Sequence, residues 1–139
     1  MKVCHKYFIP FLLITILFSL IPYLSFSQNL SKEQTLSYIN KKWTQYGIHT
    51  NSQPIILSGD VIVINKGNKY VVNENFEAQY KIVNVEGKEN YYLCFYDNNV
   101  MTGRMPFLSA EECQSVVKAF NYLKKLILEK KVSKKDPFK

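Results

Sequence analysis

The stretch from Pro54 to Leu108 limits the fold more than any other part of the chain. Six short runs rich in β-branched and aromatic residues follow one another there: 54–57, 61–64, 69–72, 76–85, 91–96 and 100–107. Between them lie Ser58-Gly59-Asp60, Asn65-Lys66-Gly67-Asn68, Asn73-Glu74-Asn75, Glu86-Gly87-Lys88-Glu89 and Asp97-Asn98-Asn99. These are turn residues at hairpin spacing. Connections this short cannot hold a parallel crossover, so the runs must pair antiparallel. The expected sheet is an antiparallel meander of five or six strands.

The strand starting at Phe76 is the clearest. Phe76, Ala78, Tyr80 and Ile82 face one way, and Glu77, Gln79 and Lys81 face the other. That pattern describes a strand with one wet face. Val83 and Val85 break the alternation, which predicts a bulge near Ile82–Val83. The run from Tyr91 to Tyr96 is apolar or aromatic on both sides and reads as a central, covered strand.

A helix precedes this region and another follows it. Ser31 and Gln34 form a capping box ahead of Leu36, Ile39 and Trp43, which recur at helical spacing. Gly47 ends that helix, expected over 32–46. Ser109 and Glu112 form a second box. It opens a long helix with Cys113, Val116, Val117, Phe120, Leu123 and Ile127 on one stripe, ending near Lys130. The fold class is therefore α+β, with an N-terminal helix, the meander, and a long C-terminal helix packed on the sheet.

The amino terminus distorts the totals of 47% hydrophobic residues and a net charge of +7. Lys2 and Lys6 precede an uncharged apolar run that ends in Ser25-Phe26-Ser27. A basic start, an apolar core and small residues before the cut make a secretory signal peptide over 1–27, cleaved between Ser27 and Gln28. The pattern resembles that of exported Gram-negative bacterial proteins, placing the product in the periplasm or outside the cell. The alternative is an uncleaved membrane anchor, since 7–26 nearly reaches the length that spans a bilayer. A single α+β domain over 28–130 and a basic, disordered tail over 131–139 complete the expected organisation.

Residues 28–123 carry nine bases and nine acids, whereas 124–139 carries seven Lys and two acids. The positive charge belongs to the tail. It suits a solvated end or a weak contact with an anionic membrane surface. Arg104 is the only arginine, which argues against dedicated phosphate recognition and against nucleic acid as a partner.

Phe107-Leu108-Ser109-Ala110-Glu111-Glu112, continued by Val117-Lys118-Ala119-Phe120-Asn121-Tyr122-Leu123, resembles the carboxyl end of small exported bacterial proteins of unknown function. The layout is similar to pleckstrin-homology-like domains, in which a final helix plugs a strongly bent sheet. That resemblance implies a binding scaffold without catalytic residues or cofactor. The N-terminal helix departs from it. A cystatin-like arrangement accommodates that helix but leaves the last one unexplained.

The chemistry-bearing residues are few. His49 is the only histidine after the leader, so a small hydrolase would have to use it, yet no nucleophile elbow accompanies it. No Cys or His lies at zinc-ligand spacing. The isolated Gly59, Gly67, Gly87 and Gly103 read as turn residues. Glu111 and Glu112 are explained by the helix start they occupy. Cys4 would leave with the leader. Cys94 and Cys113, an even pair in an exported chain, are candidates for a disulfide joining strand to helix. Tyr92 and Tyr96 are the candidates for an outward recognition surface. The sequence thus predicts an exported, non-enzymatic module for a protein, peptide or small ligand, with no cofactor or metal. A tyrosine-lined cavity under the closing helix would indicate a ligand; a filled interior would direct binding to the surface.

Overall fold

The computed structural model describes residues 30–48, 53–64 and 67–135. The leader, its Ser27–Gln28 junction, Cys4, His49 and the end of the basic tail lie outside these residues. Helix α1 (Lys32–Tyr46) leads into β1 (Ile56–Ser58), β2 (Val61–Ile64), β3 (Asn68–Val71), β4 (Phe76–Val85), β5 (Lys88–Asp97) and β6 (Val100–Phe107), and α2 (Ala110–Lys135) follows. The fold is α+β, and every strand pairing is antiparallel.

The strands do not form one meander. They make two three-stranded sheets, ordered β1-β2-β3 and β4-β5-β6. The break falls at Val72–Asn75, where the chain bends instead of making a tight hairpin. Asn73 accepts backbone N–H bonds from Asn75 and Phe76 at 2.8 and 2.9 Å, fixing that bend. The later turns are tight. Glu86-Gly87 and Asn98-Asn99 all take positive φ, from 50 to 77°, as two-residue hairpins of matching twist require.

The expected bulge at Ile82–Val83 is absent. The β4–β5 register runs unbroken from Phe76↔Asp97 to Val85↔Lys88. The only shift between β5 and β6 falls at Phe95/Tyr96. Ile82, Val83 and Val85 break the polar alternation because all three are exposed, on both faces of a projecting hairpin. The last partner of β6 on β5 is Tyr91, paired with Phe107. Beyond it, β4 and β5 continue alone as a two-stranded arm.

Both helices form where their signals place them. The Ser31 box is complete: the Gln34 N–H donates to Ser31 Oγ at 3.2 Å, and the Ser31 N–H donates to Gln34 Oε1 at 2.8 Å. The second box is half built. Glu112 N–H reaches Ser109 Oγ at 3.4 Å, but the Glu112 carboxylate pairs with Lys42 of α1. Thr35, not Leu36, takes the first buried place on α1, its hydroxyl returned to the Ser31 carbonyl. Helix α2 continues past Lys130 to Lys135, into the segment expected to be a disordered tail.

Gly47 ends α1 by a different mechanism from the usual left-handed cap. Its φ is −73°, open to any residue. A Cβ there would collide with the Trp43 ring. Gly103 is not a turn residue either. It lies within β6, opposite Phe95, and a Cβ would run into the Tyr70 ring and hydroxyl. Gly103 therefore lets β3 of the first sheet press against the second.

Phe95 on the central strand organises the core. It meets Tyr70 at 4.8 Å, Phe76 at 5.7 Å and Phe120 of α2 at 5.1 Å between ring centroids, the last edge-on. Trp43 packs on Phe107 at 5.5 Å. Leu93, Val116, Phe120 and Leu123 are fully buried, each worth roughly 1.5–3 kcal/mol by transfer. Two asparagines join a helix to extended backbone, one just before β1 and one within β4. The Asn40 amide bonds both N–H and C=O of Ile55, at 2.7 and 2.9 Å. The Asn121 amide does the same at Ala78, at 3.1 and 2.9 Å. Among the described residues no helix is long and apolar enough to cross a membrane.

Candidate functional site

Alternation along β5 assigns its side chains. Leu93 and Phe95 enter the core, so Tyr92, Cys94 and Tyr96 project from the opposite, outer face. Cross-strand pairing fills that face in rows. Tyr92 lies between Lys81 and Pro106, Cys94 between Gln79 and Arg104, and Tyr96 beside Glu77. The bulge after Phe95 leaves Thr102 as the extra residue, its hydroxyl donating to the Phe95 carbonyl at 3.2 Å.

The two cations lean diagonally onto the tyrosines. The Arg104 guanidinium sits 5.2 Å from the Tyr92 ring centroid, and the Lys81 ammonium 5.1 Å from that of Tyr96. Each contact is worth ~0.5–1 kcal/mol at an exposed site. Hydrogen bonding to Tyr96, then its charge interaction, raises the Lys81 pKa, so this group stays cationic across the neutral range. The pairs differ in depth. Tyr96 is 8% exposed, whereas Tyr92 is half-buried and Arg104 is exposed.

Cys94 lies beneath these side chains, with 2% exposure. Burial raises its thiol pKa, and the nearby Lys81 and Arg104 only partly oppose that. Cys113 points into the core from the first turn of α2, where burial and then the Cys94 charge push its pKa up to about 12. Both are free thiols in the structure. The expected strand-to-helix disulfide is not formed, because Cys94 is on the outer face of β5 and Cys113 is in the core on the inner face.

The outer face has an apolar margin. The Ile48 N–H donates to the Pro106 carbonyl and the Leu108 N–H to the Tyr46 carbonyl, at 2.9 and 2.8 Å. The chain after α1 thereby runs along the edge of β6. Ile48 is 48% and Leu108 66% exposed beside it. The face thus combines two cationic heads, two tyrosines, one acid (Glu77) and an aliphatic border.

Other locations offer less. Glu111 and Glu112 do not act as a pair, since Glu112 is engaged by Lys42. That ammonium lies between Tyr38 and Tyr46, and the Glu112 bond raises its pKa. The interior between α2 and the second sheet is filled by Phe95, Phe120 and Leu123. A cavity of about 450 Å³ opens elsewhere, between the start of α1, the β1–β2 turn and the distal part of α2. Its floor is Leu57 and Ile127, its rim Lys32, Glu33, Asp60 and Lys130, and among the described residues no tyrosine lines it. Among the described residues no three His, Cys, Asp or Glu side chains gather as metal ligands.

The sequence singled out Tyr92 and Tyr96, and the structure places both on one face. It missed Lys81 and Arg104 as their partners. The signal was available in the strand register, which brings β4 and β6 to either side of β5. No protein-family model, curated protein or solved structure matches this chain.

Proposed function

We propose that the chain is an exported, non-enzymatic recognition domain that engages a protein or peptide segment through the outer face of β4, β5 and β6. The observation behind this reading is the placement of the protein's only arginine over Tyr92, beside the Lys81–Tyr96 pair. Such a face suits a segment carrying carboxylates. The cations supply donors, the tyrosines supply rigid amphipathic area, and Ile48 and Leu108 supply an apolar rim. The filled interior beneath α2 favours surface binding over an enclosed ligand. The basic, apolar and small-residue order of 1–27 supports export.

Panning a random peptide library against the folded protein tests the binding reading. Acidic, aromatic-containing peptides are expected, with binding reduced at least tenfold by Arg104→Ala or Tyr92→Ala. Peptides that bind both variants undiminished would refute it. Amino-terminal sequencing of the exported product tests the location, with Gln28 expected as the first residue. An intact leader would support the membrane-tethered alternative.

A further inference from the structure

Unpaired strand edges are a hazard that folds usually cover, and this fold covers part of each edge of its second sheet. The outer edge of β6 is covered at its Pro106–Leu108 end by the segment Tyr46–Ile48. On β4, Ala78 directs both its N–H and its C=O away from β5, where the Asn121 amide takes them up. Antiparallel alternation then points the backbone groups of Tyr80, Ile82 and Asn84 the same way. No bond from a described residue reaches them on that side. The free edge runs from the capped Ala78 to the turn at Glu86, and its midpoint is Ile82.

We infer that this edge pairs with a second copy of the chain, antiparallel, about a twofold axis at Ile82. Backbone donors and acceptors in a row call for another extended strand. The side chains favour a second copy as that strand, because its register covers the exposed Ile82 and Val83 and brings Glu86 toward Lys118 and Lys125. With Ile82 opposite Ile82, Tyr80 falls opposite Asn84 and the reverse, so three residue pairs exchange two backbone bonds each. The whole free edge is used and nothing beyond it.

The side chains agree with this register. Ile82, 49% exposed, meets its own copy, and Val83, 38% exposed, meets the stem of Lys81. Lys81, the only charge between Gln79 and Val85, is not set opposite another Lys81. Glu86 of the second copy arrives level with Ala78, where α2 presents Asn121 with Lys118 and Lys125 one turn to either side. The two sheets merge into one of six strands. A single added strand buries less than a standard interface, so the dimer is weak and concentration-dependent.

Sedimentation of the full chain from micromolar to millimolar concentration tests this. The wild type is expected to shift from monomer to dimer. Ile82→Lys, which places two like charges on the axis, is expected to remain monomeric with its circular dichroism unchanged. In a Cys4→Ser background, Ile82→Cys is expected to cross-link as a dimer, because paired residues on such an axis have Cα atoms at disulfide distance. Val85→Cys, which faces Gln79 of the second copy, is not. A monomer at every concentration, a dimer that survives Ile82→Lys, or equal cross-linking by the two cysteines would overturn the inference.

Discussion

The Asn121 side chain of α2 closes the backbone of Ala78 on β4, donating to its carbonyl at 2.9 Å and accepting from its N–H at 3.1 Å. A helix residue thus performs the work of a missing strand. The relationship between Asn40 and Ile55 repeats the device at the other helix. Removing Asn121 exposes two backbone groups that no other described residue satisfies.

Asn121→Ala should therefore destabilise the fold by about 2 kcal/mol, near the cost of two unmade hydrogen bonds. It should also leave Ala78 as one more uncapped residue on the free edge of β4 and increase self-association. Urea denaturation measures the first effect and light scattering the second. A loss below ~0.5 kcal/mol, the range of ordinary surface substitutions, would show that Ala78 finds other partners.

Gly103→Ala should cost ~1–3 kcal/mol, as overpacking does in a filled site. The added methyl meets Tyr70, so the penalty should shrink when Tyr70 is shortened to Leu. A double-mutant cycle by thermal or urea unfolding measures that coupling. Additive losses would mean that the two sheets do not touch at this point.

The Cys113 thiol predicts a stability change with pH. Its pKa is about 12 in the folded chain against an ordinary 9.0. Above pH 9 the unfolded chain releases this proton while the folded chain keeps it, so the unfolded state gains. Stability should be constant through neutrality and fall between pH 9 and 12. Cys113→Ala should lose that part of the slope in urea midpoints. Mass mapping without reductant should find Cys94 and Cys113 unlinked, and thiol reagents should reach Cys113 only as the protein opens.

Much of this fold was legible in the sequence because its signals are local. The Ser31–Gln34 box, the turn residues and the stripe from Cys113 to Ile127 each act within a few residues, and α1, β2, β4 and β6 begin and end where those signals put them. The division into two sheets was not legible. Asn73 bends the chain through local bonds to Asn75 and Phe76 that the same turn residues would also permit in a hairpin, and Gly103 admitting Tyr70 is a contact between distant segments. Val83 and Val85 were misread for the related reason that apolar residues at an exposed arm look like core residues out of phase. For the outer face, alternation along β5 identified Tyr92 and Tyr96, but only the pairing of three strands brings Lys81 and Arg104 to them.

Charge reversal at the outer face offers a check that leaves the core untouched. Arg104→Glu removes the cation over Tyr92 and adds a second carboxylate to the outer face that carries Glu77. Stability should change by less than ~1 kcal/mol, because an exposed cation–aromatic contact is worth little. Binding of a selected acidic peptide should fall well beyond tenfold. A variant that unfolds instead would assign Arg104 a structural role.

The most direct measurement is an amide chemical-shift map of the labelled protein titrated with a peptide selected by panning. The account predicts perturbations at Lys81, Tyr92, Cys94, Tyr96 and Arg104, the inner-face Leu93 changing less than its outer neighbours, and their disappearance in Arg104→Ala. A footprint around the cavity at Leu57 and Ile127, with the outer face of β4–β6 unperturbed, would contradict it.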